Sequence, residues 1–293
     1  MMGRGLKPSY RFFPRPIFTT TRTAMVYCKY QPSIVLLPFV MCYYVWESQE
    51  AVEVALEVHS PPNGLGGMVF NYGDPYQVQL PNAKWENVPR SFIVGQFTKN
   101  YTLRLSGRPG MIGIAFRPAG LSNVLGVPMI AFTNLRIELK LVLGSEAAQV
   151  EQRILESKTS QQRITVLEEF LLKKLYNSSL KIDLEDYALA SIVQQKGILS
   201  ISQLSDELCI SPRQLRRRFT EKVGISPKLF SRIKRFNYVS HLSTSTSGNW
   251  MDIVDEGGYY DQAHFIRDFY DFSGKKPSDF IHYYRTMAAL VGA

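Results

Sequence analysis

The chain has 293 residues, of which 45% are hydrophobic and 20% are charged, and its formal net charge is +9. This length suits two ordinary domains, and the composition is that of a globular protein without a long low-complexity tract. A basic excess favours a polyanionic partner when the charge is clustered. It is clustered here, because residues 1–30 carry six basic side chains and no acidic one, and residues 211–235 carry nine basic side chains and one acidic one.

The N-terminal residues predict no membrane anchor. Residues 1–24 are rich in Arg and Pro and are predicted to be a disordered leader, with Met25 as a candidate natural start. The apolar run at 33–46 is interrupted by Pro38, lacks a following cleavage site and is too short to span a bilayer. The three cysteines are scattered, which fits a reducing compartment and neither a disulfide framework nor a zinc site. We therefore expect a cytoplasmic protein.

Residues 25–143 have the sequence pattern of a β domain, with short apolar runs separated by Pro, Gly and Asn. The alternation at 102–105 predicts a half-buried strand, and residues 107–110 predict a hairpin turn after it. Several strands at this spacing predict a barrel or sandwich. The aromatic residues of this region fit either a ligand pocket or the core of the barrel. They are Tyr43, Tyr44, Trp46, Phe70, Tyr72, Tyr76 and Trp85.

The remaining chain is predicted to be helical. Residues 144–190 have apolar positions at helical intervals and predict a helical connector. Residues 191–287 contain an internal repeat with an offset of 50 positions. The matching pairs are Leu215 and Phe265, Arg217 and Arg267, Phe219 and Phe269, Gly224 and Gly274, Pro227 and Pro277, Phe230 and Phe280, and Arg235 and Arg285. Matches that share one register indicate two copies of a single supersecondary unit.

The first copy has the pattern of a helix-turn-helix. Ser200 and Gln203 have the spacing of a capping box and predict the start of a first helix. Ser211, Pro212 and Gln214 predict the N-cap, the first residue and the third residue of a second, basic helix. Two short helices joined by a few residues, the second of them basic, are typical of DNA-binding helix-turn-helix units.

The helical wheel separates buried from outward positions on the second helix of each copy. In the first copy Leu215 and Phe219 face the core, whereas Arg213 and Arg217 point outward, where arginine can pair bidentately with guanine in the major groove. In the second copy three aspartates outnumber Arg267, which predicts an acidic recognition helix. We expect the first copy to supply most of the affinity and its salt dependence, and the second to add selectivity.

The region from 192 to 285 resembles the AraC/XylS family of bacterial transcription regulators. The motif Gly-Tyr-Tyr-Asp-Gln-Ala-His-Phe-Ile-Arg-Asp-Phe at 258–269, with Gly274 and Pro277, carries the resemblance. It implies two helix-turn-helix units joined by a long helix at about 227–242. The base-contacting positions that it implies are Arg213, Gln214, Arg216, Arg217, Gln262, Ala263, His264 and Arg267. Phosphate contacts are expected from Arg218, Lys222, Lys228, Arg232, Lys234 and Arg235. There are two departures: Cys209 lies at a turn position often held by Gly, and Lys276 replaces the Ser that precedes the corresponding proline, Pro227, in the first copy.

The β domain resembles the sensor-like domain found on a subset of these regulators, which implies effector sensing or dimerisation. The residues that carry this resemblance are Pro62-Asn63-Gly64, Phe70-Asn71-Tyr72-Gly73, Val94-Gly95-Gln96-Phe97-Thr98 and the stretch 112–120.

The expected architecture is an α+β multidomain protein: a β-barrel or sandwich-like N-terminal domain, a helical connector and an all-α C-terminal double helix-turn-helix domain. The expected function is that of a sequence-specific DNA-binding transcription regulator, not an enzyme, that responds to a small-molecule effector through the N-terminal domain. Double-stranded DNA is the expected partner, and RNA polymerase, the effector and a second copy of the chain are further candidates. No cofactor, metal or membrane is expected, and the sequence identifies no effector pocket.

Two alternatives stay open. The first is a metal-dependent cupin-type enzyme fused to a DNA-binding module, which needs two or more histidines with a carboxylate. His59 is the single histidine before the DNA-binding region, so this alternative has little support. The second is an architectural DNA-binding protein without a sensor, which a ligand-dependent shift in DNA affinity distinguishes from a regulator.

Overall fold

The computed structural model describes residues 25–81, 83–178, 183–245 and 250–290. The predicted disordered leader at 1–24 lies outside these ranges. Within them, no helix combines the length and the apolar character needed to cross a membrane.

The N-terminal half is built on two antiparallel sheets. The first has the strand order β1-β2-β9-β4-β7-β10 and the second the order β3-β8-β5-β6. The strands are β1 Met25–Tyr30, β2 Val40–Ser48, β3 Val52–Ser60, β4 Gly67–Asn71, β5 Gln77–Gln79, β6 Glu86–Asn87, β7 Ser91–Val94, β8 Tyr101–Gly107, β9 Gly110–Phe116 and β10 Arg136–Glu138. The predicted β-rich domain is confirmed.

Helices follow the strands and then form the C-terminal half. Those of the first half are α1 Gly120–Leu125, the 3₁₀ helix Met129–Phe132, α2 Leu139–Leu143, α3 Ser145–Glu156 and α4 Ser160–Tyr176. Those of the second half are α5 Leu184–Gln194, α6 Ile201–Glu207, α7 Pro212–Val223, α8 Pro227–Ser245, α9 Trp250–Glu256, α10 Gln262–Ser273 and α11 Pro277–Leu290.

The first sheet is covered on both faces. One face packs against α3 and α4 through a cluster that includes Tyr43, Phe70 and Leu167. The opposite face packs against the second sheet around Trp46 and Leu105. A strand that is covered on both sides reads as a continuous apolar run instead of an alternating one. This is why every residue of β9 is buried.

The hairpin predicted at 107–110 is wrong. β8 pairs with β3 and β5 in the second sheet, whereas β9 pairs with β2 and β4 in the first, so the turn is a corner between the sheets. Backbone groups of 72–74 hold this corner: the amide of Gly73 donates to Gly110 O at 3.0 Å, and the amide of Asp74 donates to Arg108 O at 2.9 Å. The carboxylate of Asp74 in turn accepts from the Arg108 amide at 2.7 Å. These partners lie far away in sequence, so the local turn pattern does not reveal them.

The segment 144–190, expected to be a connector, is divided between two hydrophobic cores. α3 and α4 belong to the β domain, where Ser91 Oγ donates to the carboxylate of Glu151 at 2.5 Å and the Ser33 amide donates to Glu168 at 2.7 Å. α5 instead contributes Ala188 and Ile192 to the core of the C-terminal helices.

The long helix α8 runs through the core of the C-terminal half. Phe230 on α8 packs against Phe219 of α7, with ring centroids 5.7 Å apart. Phe236, almost two turns further along, packs against Phe269 of α10 at 5.0 Å. α8 therefore belongs to the cores of both helix-turn-helix units, and the predicted double helix-turn-helix architecture is confirmed.

Candidate nucleic-acid interface

The first helix-turn-helix unit, formed by α6 and α7, has the predicted start signals. Ser211 Oγ accepts from the Gln214 amide at 3.2 Å, and Gln214 Oε1 accepts from the Ser211 amide at 3.1 Å. These two bonds form the capping box, with Pro212 at the first helical position. Leu215 and Phe219 are fully buried, as the wheel predicts. The outward face of α7 is exposed, and its predicted base-contacting residues are Arg213, Gln214, Arg216 and Arg217.

The second unit, formed by α9 and α10, presents a less charged face. Asp261 caps α10 by accepting from the His264 amide at 2.7 Å. Gln262, Ala263 and Arg267 are exposed, whereas His264 is half-buried with its ring 5.1 Å from that of Tyr259. Of the four predicted base-contacting residues of this unit, three therefore lie on the open face of α10 and one at its edge.

The expected acidic character of α10 does not extend to its outer face. The side chain of Asp268 is 2% exposed, and it accepts hydrogen bonds from Arg232 at 2.6 Å and from Arg235 at 3.3 Å. Asp271 lies 3.0 Å from the same Arg232. The hydrogen bond to Asp268 raises the pKa of Arg232 above its ordinary value. Two of the three aspartates are thus neutralised by α8, a pairing that counting charges along one helix cannot detect.

Basic residues on the inner side of α7 are paired with α5 in the same way. Lys222 Nζ donates to Asp186 at 2.6 Å and to both carboxylate oxygens of Asp183 at 2.8 Å. Burial acts to raise the pKa of Asp183, but the hydrogen bond from Lys222 is among the interactions that hold it below its ordinary value. Arg218 forms an ion pair with the buried Glu185. These pairs hold α5 against the recognition helix.

Lys234 is bonded to the β domain. Its Nζ donates to the backbone oxygen of Asn63 at 3.0 Å, and loss of solvent lowers its pKa to about 8. Five of the six predicted phosphate-contacting residues thus have a partner inside the protein. Lys228 is exposed, and no ion pair involves it in the described part of the chain. The phosphate contacts stay predictions, and five of them require an intramolecular bond to be exchanged.

The first unit therefore holds most of the free positive charge. Arg213, Arg216 and Arg217 of α7, and Lys228 at the adjoining start of α8, are exposed and take part in no ion pair among the described residues. The outer face of the second unit offers Arg267. Salt-dependent binding to a polyanion grows with the number of cations that meet phosphate, so this distribution favours the first unit.

A cavity of about 200 Å³ opens inside the β domain, beside α8. Its aromatic lining includes Tyr44, Trp46, Phe97 and Tyr101, and burial raises the pKa of Tyr44 well above its ordinary value. Asn237 of α8 forms part of the wall, and none of the described residues that line the cavity is Asp, Glu, Lys or Arg. Of the seven aromatic residues singled out from the sequence, Tyr44 and Trp46 line this space, whereas others, including Tyr43 and Phe70, belong to the core.

His59 also lines the cavity and lies between the domains. Its Nδ1 is 3.0 Å from Thr102 Oγ1, and its ring packs 5.5 Å from that of Tyr283 on α11. Loss of solvent, followed by the charge of Lys275, lowers the pKa of His59. Among the described residues, no group of three or more His, Cys, Asp or Glu side chains is placed to hold a metal ion.

The β domain contacts the C-terminal end of the first recognition helix, a contact that sequence reasoning missed. Thr133 Oγ1 donates to the backbone oxygen of Gly224 at 2.5 Å. A Cβ at Gly224 would lie 3.0 Å from the backbone oxygen of Met129 in the 3₁₀ helix. The repeat identified Gly224 as a helix-ending residue, but no local pattern points to a partner 91 positions away.

Comparisons with known proteins bear on both halves. Residues 204–283 match the family model of a helix-turn-helix domain, and residues 28–138 match that of a domain of unknown function. No curated protein matches the chain.

Three similar solved structures illustrate the range of matches. ToxT from Vibrio cholerae is 11% identical, with 82% of this chain and 98% of that chain covered and a TM-score of 0.45. The C-terminal domain of AraT, a response regulator from Geobacillus stearothermophilus, is 23% identical, with coverage of 36% and 88% and a TM-score of 0.33. The AraC-like transcriptional activator CuxR is 11% identical, with coverage of 80% and 86% and a TM-score of 0.32.

Proposed function

We propose that this chain reads a specific operator with α7 and α10 and responds to a small molecule in its β domain. It carries an AraC-type helix-turn-helix domain and is thereby a DNA-binding transcription regulator. The observation that carries the proposal is the pair of capped recognition helices, whose outward residues are left uncovered by the β domain. Capped helices with free polar faces are what a major groove admits.

The proposed roles of the two helices differ. Arg213, Gln214, Arg216 and Arg217 contact base edges from α7 and provide most of the affinity. Gln262, Ala263, His264 and Arg267 contact bases from α10, with Ala263 limited to an apolar contact such as the thymine methyl group. Lys228 is the phosphate contact that requires no intramolecular bond to break.

The cavity beside α8 is the proposed effector site. A space lined by aromatic and other apolar residues, with a few polar groups such as Asn63 and Asn237, is the usual form of a small-molecule site. None of the described lining residues would compensate the charge of an ionised effector, and burial of an uncompensated charge is costly. The site therefore suits an uncharged, aromatic or otherwise apolar effector. This cavity favours a sensor over a purely architectural DNA-binding protein. RNA polymerase and a second copy of the chain stay predicted partners.

Selection of genomic DNA fragments tests the proposal. Purified wild-type protein is expected to enrich fragments that share one motif, and Arg217→Ala is expected to lose that enrichment. Arg90→Ala is the matched control, because it removes an exposed arginine from the β domain. It should enrich the same fragments as the wild type. If the wild-type protein enriches no motif beyond Arg217→Ala, sequence-specific regulation is wrong.

The effector proposal has its own test. Binding of the enriched duplex is titrated with a panel of uncharged aromatic compounds and with their carboxylated analogues. An uncharged compound that shifts the DNA affinity of the wild type, but not that of Asn237→Leu, supports the cavity as the effector site. A shift that persists in Asn237→Leu places the effector elsewhere.

A further inference from the structure

The loop between β3 and β4 has two faces, one toward the cavity and one toward the DNA-binding half. We call residues 61–66 the coupling loop. Its members Pro61, Pro62, Asn63, Leu65 and Gly66 line the cavity. Gly64 is the exception, because it faces α8: a Cβ there would lie 2.8 Å from Lys234 Nζ and 3.1 Å from Phe230 Cε2. One short loop thus contacts both the proposed effector space and the long helix.

Backbone geometry holds the coupling loop in this position. Asn63 Oδ1 accepts from the Leu65 amide at 2.9 Å, which closes a tight turn. Gly64 lies within that turn at φ +73°, a left-handed conformation that favours glycine. Asn63 also offers its backbone oxygen to Lys234 at 3.0 Å. The loop is therefore tied to α8 by a hydrogen bond and by direct packing.

The contact lies between the two points where α8 joins the helix-turn-helix units. Phe230, which packs on the first unit, precedes Lys234, and Phe236, which packs on the second unit, follows it. Asn237, one turn after Lys234, forms part of the cavity wall. The coupling loop therefore contacts α8 between the residue that packs on the first unit and the residue that packs on the second.

The described part of the β domain does not cover the predicted base-contacting residues of the recognition helices. Arg213, Arg217, Gln262 and Arg267 are all exposed with the β domain in place. Two recognition helices that read successive major-groove segments need a separation near one helical turn, about 34 Å. A small change in the angle of α8 moves a base-contacting side chain out of hydrogen-bond geometry on one segment while the other stays engaged.

We propose that the coupling loop transmits occupancy of the cavity to α8 and so sets the relative placement of the two recognition helices. This inference rests on the proposed function, since it assumes an operator with two half-sites. Its signature is a change in affinity for the whole operator without a change in affinity for either half alone. Direct damage to a recognition unit would instead weaken one half-site.

Two alanine variants of the full-length chain test the inference. Gly64→Ala places a methyl group against Lys234 and Phe230, whereas Gly126→Ala adds a methyl group at a similar positive φ, +67°, with nothing within 4 Å of its Cβ. Each is titrated with the selected operator and with duplexes in which one half is scrambled. Gly64→Ala is expected to change affinity for the whole operator by at least about fivefold, the lower end of ordinary coupling between sites. Gly126→Ala should match the wild type on every duplex.

Lys234→Met provides a second variant that keeps the packing of the side-chain stem and removes its bond to Asn63. Because Lys234 is also a predicted phosphate contact, the comparison between duplexes decides its role. Loss of the Asn63 bond is expected to change affinity for the whole operator more than affinity for either half, whereas loss of a phosphate contact would weaken all duplexes alike and lower the salt slope by about one. Equal effects of Gly64→Ala and Gly126→Ala, or a loss by Lys234→Met that is equal on all duplexes, would overturn the inference. Failure of the wild type to select any operator overturns the proposed function instead.

Discussion

The Asp268 carboxylate is predicted to be the main electrostatic tie between α10 and α8. In Asp268→Asn the buried side chain keeps its shape but loses the charge that Arg232 and Arg235 face at 2.6 and 3.3 Å. Removal of one partner of a buried ion pair costs about 3–5 kcal/mol. Because Arg232 is 32% exposed and retains Asp271, we expect a smaller loss, about 2–3 kcal/mol of the free energy of unfolding.

The matched control is Asp271→Asn, which removes a carboxylate bonded to the same arginine but 51% exposed. An exposed ion pair contributes less than about 1 kcal/mol. Urea unfolding of the full chain, followed by far-ultraviolet circular dichroism, measures both variants, and hydrogen exchange of α8 and α10 localises the effect. If both variants lose the same free energy, within about 0.5 kcal/mol, the argument that burial makes Asp268 special is refuted.

Three further predictions concern single residues. Lys222→Gln should lower the free energy of unfolding without changing the salt slope of DNA binding, since Lys222 is paired with α5; a slope lower by about one would make it a phosphate contact. Cys209→Gly should stabilise the protein by about 0.5–1 kcal/mol in thermal unfolding, because Cys209 has φ +53° where the second unit has Gly258 at +63°; a destabilised variant would contradict this. Lys234→Met should be most stabilised relative to wild type below pH 8, since folding there strips solvent from a charged amine whose folded pKa is about 8. This difference in the free energy of unfolding should shrink as the pH rises from about 8 towards 10.5, because in that range the wild type binds the proton in the unfolded state alone. Denaturant unfolding at several pH values measures the difference, and a difference independent of pH would contradict the prediction.

Features of the DNA-binding half that depend on short-range signals were predictable from the sequence. The capping box of Ser211 and Gln214 involves residues three positions apart, and the burial of Leu215 and Phe219 follows from helical spacing. The repeat extends the prediction to the second unit, where Asp261 caps α10 and Phe265 and Phe269 are buried. Local chemistry decides such features, so tertiary structure does not override them.

Features that depend on distant partners were not predictable. The sequence of α10 alone indicates that Asp268 is a surface charge. Its partner, Arg232, lies 36 positions earlier in the chain. Arg218 reads as a phosphate contact until Glu185 of α5 is placed beside it. The same limitation explains the wrong hairpin at 107–110, since the choice of sheet for each strand depends on neighbours far away in sequence.

The domain boundaries show a related limit. A helical pattern over 144–190 predicts helices but not the core against which each one packs. α4 turns its buried residues, such as Leu167, toward the β domain, whereas α5 turns Ile192 toward α8. Both stretches have buried residues at helical intervals, so the division appears only in the packed structure.

The most direct test of the central claim is a fluorescence-anisotropy titration of the selected duplex and an unrelated duplex at one fixed salt concentration. We expect wild type and Arg90→Ala to prefer the selected duplex, and Arg217→Ala to lose about 1–3 kcal/mol of that preference while binding the unrelated duplex nearly as before. Arg267→Ala should weaken binding of the selected duplex less than Arg217→Ala does. Equal binding of both duplexes by the wild type, or an undiminished preference in Arg217→Ala, would contradict the account.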